Sequence, residues 1–244
     1  GFFVFFDFMK MFLLDVDRRR LLPLTFSRPA CDLLVGIDTI REKWESALNV
    51  PVSPMTASYL GFTEFSEEEA VLIHGSAIPT RDLAIAIHEL EDKEMITHRG
   101  RLIAVKAEAS EVKQVQAKID RGEAISFTDF DRKEKTYNQE LTVIEKPSDI
   151  FAQNGAVLKE DFERLTKNYH TTSFPRDVSA KGDEIYVEDG AKLSNCVLNA
   201  SAGPIYIGRD AEVMDGALIR GPFSLGANST IKMGAKIYGD TSIG

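Results

Sequence analysis

The chain has 244 residues, 43% of them hydrophobic and 27% charged, with a net charge of −9 and a pI near 5.1. These proportions describe an ordinary globular protein of one large domain or two smaller ones. The acidic balance argues against nucleic acid as the main partner, since phosphate backbones need a basic face, and Cys31 and Cys196 stand far apart with no paired-cysteine motif, which fits a reducing cytoplasm.

The opening "GFFVFF" reads as a buried first strand. Asp7, Lys10 and Asp15 interrupt the apolar run and no small-residue cleavage site follows, so it is not a signal peptide. No stretch approaches the length of a transmembrane helix, and the expected location is the cytoplasm with no membrane partner. Arg18 to Arg20 form the only basic run, short enough for a solvated turn. "IREKWE" is a helix with Ile37, Ile40 and Trp44 as its apolar stripe and Arg41, Lys43 and Glu45 as its wet face.

Strand and helix then alternate. "EAVLIHG" (Glu69 to Gly75) is a strand buried on both faces, and "TRDLAIAIHELEDKE" a helix capped by Thr80, with Leu83, Ile85, Ile87 and Leu90 on its apolar side. "RLIAVKA" (Arg101 to Ala107) is a second strand and "EASEVKQVQAKID" a second helix. "LTVIEKP" (Leu141 to Pro147) reads as a third strand ended by its proline, and Gly155 to Lys167 as a further helix. The alternation predicts an α/β domain over residues 1–172, doubly wound around a mostly parallel sheet, with ligands at the carboxyl ends of the strands. Residues 173–184 have turn composition and read as a linker.

From Ile185 the period changes. Ile207, Val213, Ile219, Leu225, Ile231, Ile237 and Ile243 recur every six residues, with Ala211, Ala217, Ser229, Ala235 and Thr241 four places after the aliphatic positions. Neither a helix nor a strand face has that period; a parallel β-helix does. Val187 and Leu193 begin the repeat, and extra residues between Asn199 and Pro204 form a protruding corner. Residues 185–244 are therefore expected to form about three coils of a left-handed parallel β-helix of hexapeptide repeats. With no capping segment after Gly244, the chain reads as a piece of a longer protein.

The stretch "LLPLTFSRPACDLLVGIDTIREKWE" (Leu21 to Glu45), with "DIFAQNG" (Asp149 to Gly155) and "GPIYIGRDAEV" (Gly203 to Val213), resembles the divergent bacterial UDP-N-acetylglucosamine diphosphorylase / glucosamine-1-phosphate N-acetyltransferase family. It is similar in plan to the bifunctional N-acetylglucosamine-1-phosphate uridyltransferase, over nearly the whole chain. The resemblance implies a nucleotidyltransferase-like α/β domain that joins N-acetylglucosamine-1-phosphate to UTP and releases pyrophosphate. It also implies Mg²⁺ as cofactor if the chain is catalytic, acetyl-CoA only in a full-length protein, and a homotrimer for that longer form; this chain alone should associate weakly.

Such chemistry needs donors for the triphosphate, charge compensation at the α-phosphate and polar groups for the sugar. The Gly-rich phosphate loop of typical sugar nucleotidyltransferases is missing, which leaves Arg18, Arg19, Arg20 and Arg28; Arg28 is either a phosphate ligand or a structural arginine. In "VLIHGSAIPT" Ser76 stands where those enzymes carry the metal-binding Asp, and a hydroxyl is a far weaker ligand for a hard dication. His74, one residue before Gly75, is a ligand contact or a packed side chain. Glu145 and Lys146 in "VIEKP", and Asn154 in "QNGA", match the family's sugar-binding Glu and Asn, against a plain charged strand end. The nucleotide and phosphate candidates are thus Arg20, Arg28 and Ser76, and the sugar candidates Glu145, Lys146 and Asn154. All four histidines, His74, His88, His98 and His170, precede Ile185, so the chain is not a complete acetyltransferase. The rival reading is a non-catalytic domain that binds a nucleotide or nucleotide sugar or supports assembly.

Overall fold

The structure, a computed structural model, describes residues 9–61, 68–167 and 173–244. The expected strand "GFFVFF" and His170 lie outside these. The chain parts into two compact units, residues 1–33 with 40–147, and residues 34–39 with 148–244.

The first unit holds strands β1 (Lys10–Leu14), β2 (Ser53–Met55), β3 (Ala70–His74), β4 (Glu94–His98), β5 (Arg101–Ala107) and β6 (Lys133–Thr136) in one sheet of order β2-β1-β3-β5-β4-β6. It is mostly parallel as expected, with one reversed strand: β1–β2, β1–β3 and β4–β6 are parallel, while β5 runs antiparallel to β3 and β4. The reversal comes from a two-residue hairpin between β4 and β5, where Arg99 and Gly100 both have positive φ (49° and 75°), as the tight turns that suit strand twist require. Helices α1 (Ile40–Leu48), α2 (Arg81–His88) and α3 (Ala109–Arg121) follow the strand-and-helix alternation. Thr80 caps α2 by accepting a hydrogen bond from Leu83 N at 3.1 Å, and Glu108 and Glu111 cap α3 reciprocally. Val112 and Val115 of α3 pack on Phe12, Leu14, Leu72 and Val105. The alternate residues Leu13, Ile73 and Ile103 are fully buried too, so the central strands are covered on both faces.

Three details differ from the sequence reading. Ile40 and Trp44 are buried on α1 as expected, but Lys43 is buried with them and Ile37 lies before the helix. Ile85 is exposed on α2. Leu141 to Pro147 is not a strand. Only Val143 bridges Ala77, and Pro147 opens helix α4 (Pro147–Thr166), a position where the missing N–H of proline costs nothing.

In the second unit the chain forms β7 (Ser179–Lys181), β8 (Ile185–Val187), β9 (Lys192–Leu193), β10 (Val197–Asn199), β11 (Ile205–Ile207) and β12 (Glu212–Val213). It continues as β13 (Leu218–Arg220), β14 (Phe223–Leu225), β15 (Thr230–Ile231), β16 (Lys236–Tyr238) and β17 (Thr241–Ile243). These strands make three wholly parallel sheets, β16-β13-β10-β7, β17-β14-β11-β8 and β15-β12-β9, visited in rotation. Val187, Ile207, Leu225 and Ile243 stand in one column and Leu198, Ile219 and Ile237 in another. Ile207, Val213, Ile219, Leu225 and Ile231 all lie in one apolar core. Ser201 and Ala202 are exposed, so the extra residues leave by the corner as expected. β7 falls inside the stretch read as linker and pairs with β10.

Helix α4 belongs to this unit, together with residues 34–39. Asn154 Oδ1 accepts from Gly36 N at 2.7 Å, and Asp161 Oδ2 accepts from Ile37 N at 2.8 Å. Gly36 O accepts from the hydroxyls of Ser224 and Ser242, which project from β14 and β17. Among the described residues no helix is long and apolar enough to cross a membrane.

Candidate site at the carboxyl ends of the first strands

β1 and β3 end side by side, with Gly75 N bonded to Leu14 O at 2.9 Å. A Cβ on Gly75 would stand 2.6 Å from that carbonyl oxygen, so the approach requires glycine. The segments leaving the two strands are thereby held together, where open α/β sheets gather ligands.

Asp15, the first residue past β1, is buried and structural. It accepts from Ala30 N at 3.0 Å and from Thr56 Oγ at 2.5 Å, and burial raises its pKa. Arg18 is also engaged locally: it donates to Thr25 O at 2.6 Å, to Phe26 O at 3.1 Å and to the Tyr59 hydroxyl, and its guanidinium lies 4.9 Å from the Tyr59 ring centroid. The loop of residues 18–26 is pinned by these bonds. On its inner side is a cavity of about 320 Å³ whose lining includes Val16, Arg18, Tyr59, Ile119 and Ile125.

Arg20 turns the other way. Its side chain is 57% exposed and pairs with Glu145 Oε2 at 3.1 Å and Asp17 Oδ1 at 3.7 Å. The second oxygen of Glu145 pairs with Arg101. Glu145 comes beside the strand ends because Ile144 N donates to Ser76 O at 2.8 Å, and Arg101 because it opens the antiparallel β5. His74 completes the group, with Nε2 3.5 Å from Asp17 Oδ2. Five side chains, Asp17, Arg20, His74, Arg101 and Glu145, thus form one charged cluster at the carboxyl ends of β1 and β3.

Burial sets the charge state of the two inner members. It pushes Asp17 up to about 6; Arg20 and Arg101 oppose the shift, and Glu145 and Asp15 add to it. Burial pulls His74 down to about 4; Arg101 pulls the same way and Glu145 opposes. The hydrogen bond from Arg101 holds Glu145 below its usual range, and the same bond raises Arg101. At neutral pH the cluster therefore carries two carboxylates, two guanidiniums and a neutral imidazole. His74 Nδ1 faces Ser76 N at 3.4 Å, which assigns the ring proton to Nε2, toward Asp17.

Of the sequence candidates, the structure brings Arg20 and Glu145 into contact. Lys146 follows Glu145 and is exposed. Ser76 touches the site only through its backbone: it is 0% exposed and its buried hydroxyl has no hydrogen-bond partner among the described residues. Arg28 is exposed, and the charge it acts on is Asp32, whose carboxylate pairs with Arg41 at 2.8 Å. Asn154 is buried in the second unit, where its Nδ2 donates to Asp240 O and Ser242 Oγ and its Oδ1 accepts from Gly36 N. Asp17 and Arg101 were not singled out from sequence. Asp17 could have been, as a carboxylate three residues past an apolar strand.

Mg²⁺ does not fit these donors. Both oxygens of Glu145 meet guanidiniums, both oxygens of Asp15 accept internal hydrogen bonds, and the Ser76 hydroxyl is neutral and buried. The remaining carboxylate, Asp17, is buried with Oδ1 3.7 Å from Arg20 and Oδ2 3.5 Å from His74, and among the described residues no three His, Cys, Asp or Glu side chains form an all-protein metal cage.

No curated protein matches the chain. The profile of the sugar nucleotidyl transferase family matches residues 12–170, more than half of the chain and the whole stretch that carries the charged cluster, and the chain belongs to that family.

Proposed function

We propose that the chain joins N-acetylglucosamine-1-phosphate to UTP, giving UDP-N-acetylglucosamine and pyrophosphate. The observation that carries the reading is the Arg20–Glu145–Arg101 group at the strand ends of a sugar nucleotidyl transferase domain. A phosphate oxygen of the sugar phosphate attacks the α-phosphorus of UTP. The new P–O bond forms as the bond to the β-phosphate's bridging oxygen breaks, and pyrophosphate leaves with that electron pair. The attacking phosphate is already ionised at neutral pH, so the protein's task is to position the reactants and offset their charge. Arg20 and the exposed Lys146 are assigned to phosphate oxygens, and Glu145 to the sugar hydroxyls. Arg28, Ser76 and Asn154 carry less of the reading, because Arg28 sits beside Asp32, Ser76 is buried and the Asn154 amide is bonded within the second unit.

The three parallel sheets are read as the faces of a left-handed β-helix of hexapeptide repeats. In a longer protein that element would carry acetyl-CoA and the interface of a homotrimer. Its support here is the column stacking of aliphatic residues and their shared core.

Pyrophosphate release from UTP or dTTP with N-acetylglucosamine-1-phosphate, with and without Mg²⁺, tests the assignment. Turnover with UTP supports it. Ligand binding without turnover across a panel of sugar phosphates replaces it with a nucleotide-sugar binding domain, a reading favoured by the guanidiniums that take both oxygens of Glu145.

A further inference from the structure

We propose that Arg101 is a phosphate-binding residue, and that Arg20 and Arg101, gathered around Glu145, supply the positive charge at this site, so that the chain binds polyphosphate without a divalent cation. The inference rests on the phosphate-site reading above and goes beyond it in naming Arg101 and in removing the metal. Three observations carry it.

The first is the donor set. Among the described residues at these strand ends, the carboxylates of Asp15 and Glu145 are taken by hydrogen bonds and guanidiniums, that of Asp17 is buried between Arg20 and His74, and the Ser76 hydroxyl is neutral and buried. The charge that must be offset when two phosphates meet has to come from side chains.

The second is the placing of the two guanidiniums. Arg20 and Arg101 come from distant parts of the chain, and each takes a different oxygen of one carboxylate. A guanidinium has five N–H donors in a fixed fork, so one contact to Glu145 leaves most of them unused. The side chains are 57% and 36% exposed, so the remaining donors are open to a ligand. Two forks held one carboxylate apart match the oxygens of a phosphate, which Arg binds in bidentate fashion.

The third is what surrounds the pair. His74 is neutral, and Asp17 is buried while the two guanidiniums are partly exposed, so Asp17 weakens their attraction for an anion from the inner side without blocking a ligand's access to them. A merely structural pair at a surface needs none of this and contributes little to stability.

The test is calorimetric titration of the full chain with inorganic tripolyphosphate and with UTP, in excess EDTA and in excess magnesium. Binding in EDTA at least as tight as in magnesium is expected. Arg101→Gln should weaken tripolyphosphate binding about tenfold in EDTA, and Arg101→Lys, which keeps the charge but loses the fork, by less. Glu145→Gln should leave tripolyphosphate binding equal or tighter, since it frees both guanidiniums, while weakening N-acetylglucosamine-1-phosphate. Far-ultraviolet dichroism confirms that each variant is folded. Binding seen only with magnesium, or unchanged in Arg101→Gln, overturns the inference and leaves the proposed function standing. No binding of UTP or sugar phosphate in either buffer overturns both.

Discussion

His74 Nε2 stands 3.5 Å from Asp17 Oδ2, and burial has moved the two groups past each other on the pH scale, the carboxyl up to about 6 and the imidazole down to about 4. Between those values both are neutral, and the pair acquires a charge only outside that window. The signs differ. Asp17 has a folded pKa above its unfolded value, so its contribution to stability is full below about 4 and is lost as pH rises through 6. His74 has a depressed pKa, so its contribution is full above the unfolded value near 6.5 and is lost as pH falls toward 4.

Replacing Asp17 by Asn removes the first of these. The stability difference between variant and parent should grow in favour of the variant by about 1 kcal/mol between pH 5 and pH 7.5, since each pK unit is worth about 1.4 kcal/mol. Urea denaturation at the two pH values measures it. A difference that shrinks with rising pH would refute the assignment.

The same carboxyl controls how well the cluster attracts anions. The groups facing Asp17 are Arg20, Arg101, Glu145, Asp15 and His74. Protonating Asp17 leaves the outer charges of Arg20 and Arg101 opposed by Glu145 alone. Sulfate, which does not titrate in this range, should bind several-fold more tightly at pH 5.5 than at pH 7.5, by roughly the 1 kcal/mol of an exposed charge pair. In Asp17→Asn the affinity should be high at both pH values. Isothermal titration of parent and variant gives the comparison.

Ser76→Ala tests whether the hydroxyl has any ligand role. The Oγ is buried with no hydrogen-bond partner among the described residues, and an unmet buried polar group costs about 1–3 kcal/mol. The alanine variant should be as stable as the parent or more so, by up to about 1 kcal/mol, with unchanged triphosphate affinity. A loss of both would show that the hydroxyl is engaged in the liganded protein.

In the second unit the sensitive position is Asn154. Asn154→Ala strips Gly36 N of its acceptor and Asp240 O of a donor, and should destabilise by about 2–3 kcal/mol. Gly36→Ala should cost at least as much: its φ is +81° and a Cβ there would overlap the Asp161 carboxylate. Thermal unfolding followed by dichroism checks both.

The parts legible in the sequence were those written in local pattern. A cap such as Thr80 acts on the residue three places on, and an aliphatic residue recurring every sixth place announces its own burial, as Ile207, Val213 and Ile219 show. Pro147 was ambiguous because proline both ends strands and opens helices, and only the tertiary setting chooses. The hairpin at Arg99 and Gly100 escaped notice because arginine is a poor advertisement for positive φ. The site was half legible. Glu145 and Arg20 were marked by their neighbours, but Arg101 is recruited by an antiparallel strand that composition does not reveal. Asn154 illustrates the converse: a residue picked out by resemblance spends its amide on the backbone of Gly36 and Asp240.

The chain passes between its two units three times, after Leu33, after Thr39 and after Pro147. Most two-domain chains pass once and can be cut or recombined there. Here a break after Pro147 would strand residues 34–39 without Asn154 and Asp161, the acceptors for the Gly36 and Ile37 amides. The two halves are therefore not interchangeable cassettes: a graft of this nucleotidyl transferase unit onto a foreign scaffold must bring α4 with it or redesign six residues in the middle of the donor.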